Sequence, residues 1–231
     1  MEIREPKQKG TLYVISTPIG NLEDLTFRAL HTLKSVDAVA CEDTRETIKL
    51  LNHYQLKKRL ISYYQPKEKQ KIPLIINLLN KGKNMALVSD AGTPGLSDPG
   101  YPLIREALDQ NIKIVPIPGP SAVTAALPVS GLPTHRFLFL GFPPLKNTAV
   151  KKLLTSLKKE PSTLVFYIPP RKIPHFLKLI DDILGPRKIV MARELTKIYE
   201  QFIRGTSKEI LERIDSLTLK GEITLLIEGS K

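Results

Sequence analysis

The chain has 231 residues and a formal charge of +12, from 35 Lys and Arg against 23 Asp and Glu. Its 42% apolar content excludes an intrinsically disordered chain, and its length allows one large domain or two small ones around a sizeable core. A single Cys excludes an intramolecular disulfide and a Cys-rich zinc module; together with the lack of an apolar run near the roughly 20 residues that span a bilayer, it predicts a reducing, cytoplasmic setting.

The polar residues 1–10 contain no signal-peptide core. Residues 11–16 then read as a buried strand, ended by Pro18 and Gly20. A helix follows over 26–35, with Phe27, Leu30 and Leu33 on one face and Asp24 or Thr26 able to cap it. Residues 36–41 predict a second strand, 44–51 a helix, and the segment near Leu60 a short strand. A helix runs from after Pro66 to Asn80 with Ile72, Ile75, Ile76 and Leu79 inward; Pro73 suggests a later start, since Pro is best tolerated in a first turn. Residues 84–89 and 112–115 read as strands around a helix at 100–109. Apolar strands alternating with amphipathic helices imply a parallel sheet covered on both faces.

The segment 135–144 (HRFLFLGFPP) reads as the end of this unit. The expected division is an N-terminal α/β domain at 1–137, a linker at 138–144 and a C-terminal α+β domain at 145–231. In that second part a helix is expected at 145–158, a strand at 162–168 and a helix at 172–184 closed by Gly185. Strands at 187–192 and 198–204 follow. Thr206 and Glu209 fit a capping box for a helix at 207–217, and 222–227 closes as a strand. Less helix between strands predicts a mixed sheet.

Charge position says more than its sum. Residues 57–83 carry Lys57, Lys58, Arg59, Lys67, Lys69, Lys71, Lys81 and Lys83 against Glu68, so this segment alone is +7. It is a candidate surface for a phosphate backbone, with Tyr54, Tyr63 and Tyr64 able to stack on bases; a solvated helix face would look the same.

Three loops, each after a predicted strand, depart from ordinary connectors. The first, STPIGN at 16–21, is not GxGxxG, so an ordinary dinucleotide fold is not supported. The second, SDAGTPGLSDPG at 89–100, combines three Gly, two Pro and two Asp; glycines allow close backbone approach to a ligand, and Asp90 can accept from a ribose hydroxyl or an amine. The third, PIPGPSA at 116–122, is stiffened by prolines and leads into a helix that Ser121 can cap. Glu42, Asp43 and Arg45 follow the second strand, where Asp43 or Thr44 alternatively serves only as a helix cap. Cys41 reads as a core residue, the four His have no metal-ligand spacing, and no Ser-His-Asp order or nucleophile elbow occurs.

At these loops the sequence resembles the tetrapyrrole-methylase-like (class III) S-adenosylmethionine-dependent methyltransferases, in particular the branch that modifies ribosomal RNA. The matching stretches are LYVISTPIGNLEDLTFRAL, ACEDTRET, ALVSDAGTPGLSDPG, VPIPGPSAVTAALPVSGL, FLFLGFPP and ARELTKIYEQFIRG, in this order over most of the chain. The resemblance implies two α/β domains with the cofactor cleft between them, a homodimer, and methyl transfer to the ribose 2′-O of a cytidine in the decoding region of 16S ribosomal RNA. Its partners would be 16S RNA or the small ribosomal subunit, and its methyl donor S-adenosylmethionine; no metal is expected. Carried over by position, Pro18, Ile19, Asp90, Gly92, Thr93, Ser121, Ala122, Ile168 and Leu195 would bind the donor. Members of this branch often continue past the position of Lys231, so RNA contacts from such an extension are expected to be absent or replaced.

A neutral ribose hydroxyl is a weak nucleophile, so a base or neighbouring cation should help. Glu42 and Asp43 are the candidate proton acceptors, Arg45 the candidate phosphate contact, and Lys197 or Arg193 candidate helpers. Two competing readings are a methyltransferase of the same fold acting on a tetrapyrrole or a protein side chain, and a non-catalytic RNA- or nucleotide-binding protein.

Overall fold

The computed structural model describes residues 8–230; residues 1–7, which make up most of the polar N-terminal stretch, and Lys231 lie outside the described residues. The chain divides into two compact units, Met1–Ser121 and Ala122–Lys231.

In the first unit, β1 (Thr11–Ile15), β2 (Ala38–Cys41), β3 (Arg59–Ser62), β4 (Met85–Val88) and β5 (Lys113–Ile117) form one all-parallel sheet in the order β3-β2-β4-β1-β5. The helices are α1 (Phe27–Ser35), α2 (Thr44–His53), α3 (Glu68–Asn80) and α4 (Tyr101–Asp109). The two-residue period of the strands sorts the core. Ala38, Ala40, Met85 and Leu87 face Ile75, Ile76 and Leu79 of α3 and Leu103 and Ala107 of α4. Val39, Cys41, Ala86 and Val88 face Ala29 and Leu33 of α1 and Leu51 of α2. The sheet is thus covered on both faces, and Cys41 is a core residue whose thiol pKa burial raises.

Two helices depart from expectation. In α1 the cap is Thr26, which accepts from the Ala29 amide at 3.1 Å, and Phe27 is 85% exposed instead of inward. It is the first helical residue, and Ala29 and Leu33 take the inward positions. Helix α3 runs through Pro73. Pro73 cannot donate to the Lys69 carbonyl, a defect that costs about 3 kcal/mol in a helix interior. Burial of Ile75, Ile76 and Leu79 against the sheet offsets it.

The second unit opens with α5 (Ala122–Ala126) and holds β6 (Phe137–Phe139), α6 (Asn147–Ser156), β7 (Thr163–Tyr167), α7 (Ile173–Leu184), β8 (Lys188–Arg193), β9 (Gln201–Thr206), α8 (Ser207–Glu212) and β10 (Ile223–Ile227). Its sheet, β6-β7-β10-β8-β9, is mixed: β6 pairs with β7 in parallel and the other neighbours are antiparallel. The change of unit at Ser121 comes earlier than the expected boundary at 137, because Phe137, Leu138 and Phe139 pair with Thr163, Leu164 and Val165 as the edge of this sheet. The Thr206–Glu209 capping box forms, and Gly185 has a positive φ of 79° at the end of α7. Helix α8 stops at Glu212, short of the expected 217, and a 3-10 turn follows.

Candidate active site

In the first unit, the helices after β1 and β2 lie on one face of the sheet and those after β3 and β4 on the other. Since β4 sits between β2 and β1, a crevice opens at its carboxyl end on either side, which is where open α/β sheets receive ligands. All three unusual loops of this unit and the Glu42–Arg45 segment emerge at this end.

Hydrogen bonds tie them together. Thr17 and Gly92 exchange backbone bonds of 2.9 and 3.0 Å, joining the loops after β1 and β4. The Ser16 and Thr93 hydroxyls share a bond of 2.8 Å, and Thr93 Oγ1 donates to the Pro120 carbonyl at 3.2 Å, which adds the loop after β5. The Asp43 amide donates to Asp90 Oδ1 at 2.9 Å, linking the ends of β2 and β4. Gly92 holds φ +85°, a left-handed conformation that a side chain disfavours, and this conformation lets the bridge to Thr17 form.

The geometry therefore brings Pro18, Ile19, Asp90, Gly92, Thr93 and Ser121 to one end of one sheet, beside Glu42, Asp43 and Arg45. Pro18, Ile19, Gly92 and Ser121 are buried, whereas Asp90 is exposed. Ala122, Ile168 and Leu195 belong to the second unit. Ala122 starts α5, Ile168 follows β7 and is 2% exposed, and Leu195 follows β8 and is 7% exposed. The residues on either side of Leu195, Glu194 and Thr196, have φ of 50° and 64°, a costly conformation for non-glycine residues and one that clusters at functional loops.

The two adjacent carboxylates differ sharply. Asp43 caps α2 by accepting from the Arg45 amide at 2.8 Å, and the Arg45 guanidinium grips it from Nε and Nη2. These bonds hold its pKa at about 2. Glu42 is half-buried; burial first, then the charges of Asp90, Asp98 and Asp43, lift it to about 7, against an opposing hydrogen bond from the Asp90 backbone. Asp90 is also raised, chiefly because the loops around its carboxyl partly desolvate it although the residue as a whole is exposed, and the Asp43 amide opposes this. Of the pair, Glu42 has the proton affinity of a base at neutral pH.

The helpers expected from the second unit are engaged elsewhere. Lys197 Nζ pairs with Glu194 at 3.0 Å and Glu222 at 2.9 Å. Arg193 is buried and donates to the Lys220 and Tyr199 carbonyls at 3.2 Å each. Both fasten the loop that carries Leu195. Sequence reasoning singled them out by charge alone and missed this bracing, which depends on pairing across β8 and β10.

Residues 11–211 match the family model of the tetrapyrrole (corrin/porphyrin) methylases, so the chain belongs to that family and is a methyltransferase. It is similar to the protein named ribosomal RNA small subunit methyltransferase I from Halalkalibacterium halodurans, with 46% identity over 96% of this chain and 77% of the relative. The protein of the same name from Thermotoga maritima is 44% identical over 96% of this chain and 100% of the relative. Among solved structures, diphthine synthase superposes with a TM-score of 0.72 over 95% of this chain and 90% of that one; at 15% identity this likeness shows the fold alone.

Proposed function

We propose that this chain transfers a methyl group from S-adenosylmethionine to the ribose 2′-O of a cytidine in the decoding region of 16S ribosomal RNA, acting in the cytoplasm as a homodimer. The observation that carries this reading is the 44–46% identity, along nearly the whole chain, to proteins named for small-subunit ribosomal RNA methylation. The tetrapyrrole and protein-side-chain alternatives have likeness of fold in their favour and no such identity.

The crevice suits the donor chemically. Gly92 and Thr93 hold the loops together beside buried Pro18 and Ile19, and the exposed Asp90 carboxylate suits an amine or a ribose hydroxyl. Ser121 closes the loop after β5 in the first unit, whereas Ala122, Ile168 and Leu195 belong to the second unit. S-adenosylmethionine supplies an electrophilic methyl group on a sulfonium sulfur.

This chain's own part is to place the hydroxyl and take its proton. Glu42 would accept the 2′-OH proton as the ribose oxygen bonds to the methyl carbon and the carbon–sulfur bond of the donor breaks, its electron pair leaving with the sulfur as a neutral thioether. Arg45, 84% exposed and oriented by Asp43, holds a neighbouring phosphate. Single-turnover transfer of labelled methyl to small subunits from a strain lacking this modification tests the reading. Label in an rRNA ribose is the expected result, and label only in protein, only in tetrapyrrole or nowhere rejects it.

A further inference from the structure

The +7 segment, residues 57–83, is continuous in sequence but the fold divides it. Lys57, Lys58 and Arg59 stand at the amino end of β3, and Lys81 and Lys83 follow the far end of α3, also at the amino side of the sheet. Lys67, Lys69 and Lys71 stand at the start of α3, past the carboxyl end of β3, on the same side as the candidate active site. From Lys69 to Lys81 the helix rises roughly 18 Å.

The two groups also differ in engagement. At the amino end Lys58 Nζ donates to the Lys34 and Val36 carbonyls at 2.7 and 2.8 Å, closing the last turn of α1, and Lys83 pairs with Asp37 at 3.0 Å. At the carboxyl end, among the described residues, no ion pair engages Lys67, Lys69 or Lys71. Their placement also opposes helix stability. Cations suit the end of a helix, yet these three surround the first turn of α3, and its last turn has none. Lys67 lies 5.8 Å from the centre of the Tyr64 ring, so an aromatic face accompanies the charge. Arg45 stands at the end of the neighbouring strand β2, and α2 and α3 flank edge strand β3 from opposite faces.

We infer that Lys67, Lys69 and Lys71, with Tyr64 and Arg45, form the surface that holds the substrate RNA backbone, and that the amino-end cations take no part in it. This rests on the proposed activity towards ribosomal RNA. An RNA strand along this edge would reach the Glu42 region from the β3 side, its phosphates on the lysines and a base against Tyr64.

The test compares K67Q/K69Q/K71Q with K57Q/R59Q/K81Q, measuring binding to small-subunit ribosomal RNA across salt concentrations and donor binding to confirm the fold. Three lost phosphate contacts should flatten the slope of log affinity against log salt by about 2 in the first variant. The second should keep the wild-type slope, and both should bind donor as the wild type does. A flattened slope in the second variant with an unchanged one in the first overturns the surface while leaving the activity standing. Failure of the wild type to methylate ribosomal RNA overturns the parent reading instead, and this surface with it.

Discussion

Glu42 and Asp43 are adjacent in sequence, and their contrast sets the chemistry expected at the scale of single residues. Asp43 is spent on Arg45 and on capping α2. Glu42 keeps a raised pKa because burial and three neighbouring carboxylates all disfavour its ionised form. Glu42→Gln should lower the single-turnover rate by about 10²–10⁴ with donor binding unchanged, while Asp43→Asn should lose far less and act through Arg45. The wild-type rate should rise with pH through about 7, as Glu42 ionises, and a flat profile there would remove Glu42 as the base. The same shift has a stability consequence of definite sign. A carboxyl raised from 4.5 to about 7 binds more protons folded than unfolded, so stability falls as pH rises through that window. Glu42→Gln should therefore be more stable than wild type at pH 8 and no more stable at pH 4, by about 1 kcal/mol once solvent screening of a half-exposed group is discounted. Thermal melts at the two pH values measure it.

At the scale of elements, cap and strand chemistry explain why most of the first sheet is legible. Five short apolar runs alternate with helical periods, and Thr26 and Asp43 mark two helix starts. What defeats the pattern is three-dimensional. Phe27 satisfies the period of α1 yet stays exposed at the helix's first position, and α3 tolerates Pro73 because its inward face is already anchored. The strand Phe137–Phe139 reads equally as the end of one sheet or the start of another until its partner Thr163–Val165 is known. Lys58 illustrates the same gap between sequence and fold: its charge sums into a basic run, yet its ammonium closes helix α1 through two carbonyls. Lys58→Gln should cost about 1 kcal/mol of stability in denaturant titration and leave the salt dependence of RNA binding unchanged. At the loop level, Gly92→Ala should weaken donor binding. Its Cβ would meet Ile19 Cγ2 at an ordinary 3.5 Å, so the penalty comes from φ +85°, about 1–2 kcal/mol, drawn from the bridge to Thr17.

At the scale of the whole molecule, composition marks the loops that the fold gathers at one end of the first sheet, but not which charges lie beside them. The glycine- and proline-rich loops announce themselves because few other residues reach their conformations, and a parallel sheet must bring strand ends together. A count of charges along a chain cannot show that the chain reverses between Ser62 and Lys81, which sends neighbouring lysines to opposite ends of a sheet. On the proposed surface, most of the cations behind the +12 lie away from the RNA. If the grip consists of Arg45, Lys67, Lys69 and Lys71, about four phosphates are neutralised and the slope of log affinity against log salt is near −3 for a single strand. Raising salt from 50 to 200 mM should then cut kcat/KM for RNA by about 50-fold, while KM for the donor, whose proposed site uses none of these cations' phosphate contacts, stays within about twofold. A fall of several thousandfold would mean that the amino-end cations and the second unit's excess of basic residues join the contact. A fall under fivefold would mean that shape and base contacts, not this edge of the sheet, hold the substrate.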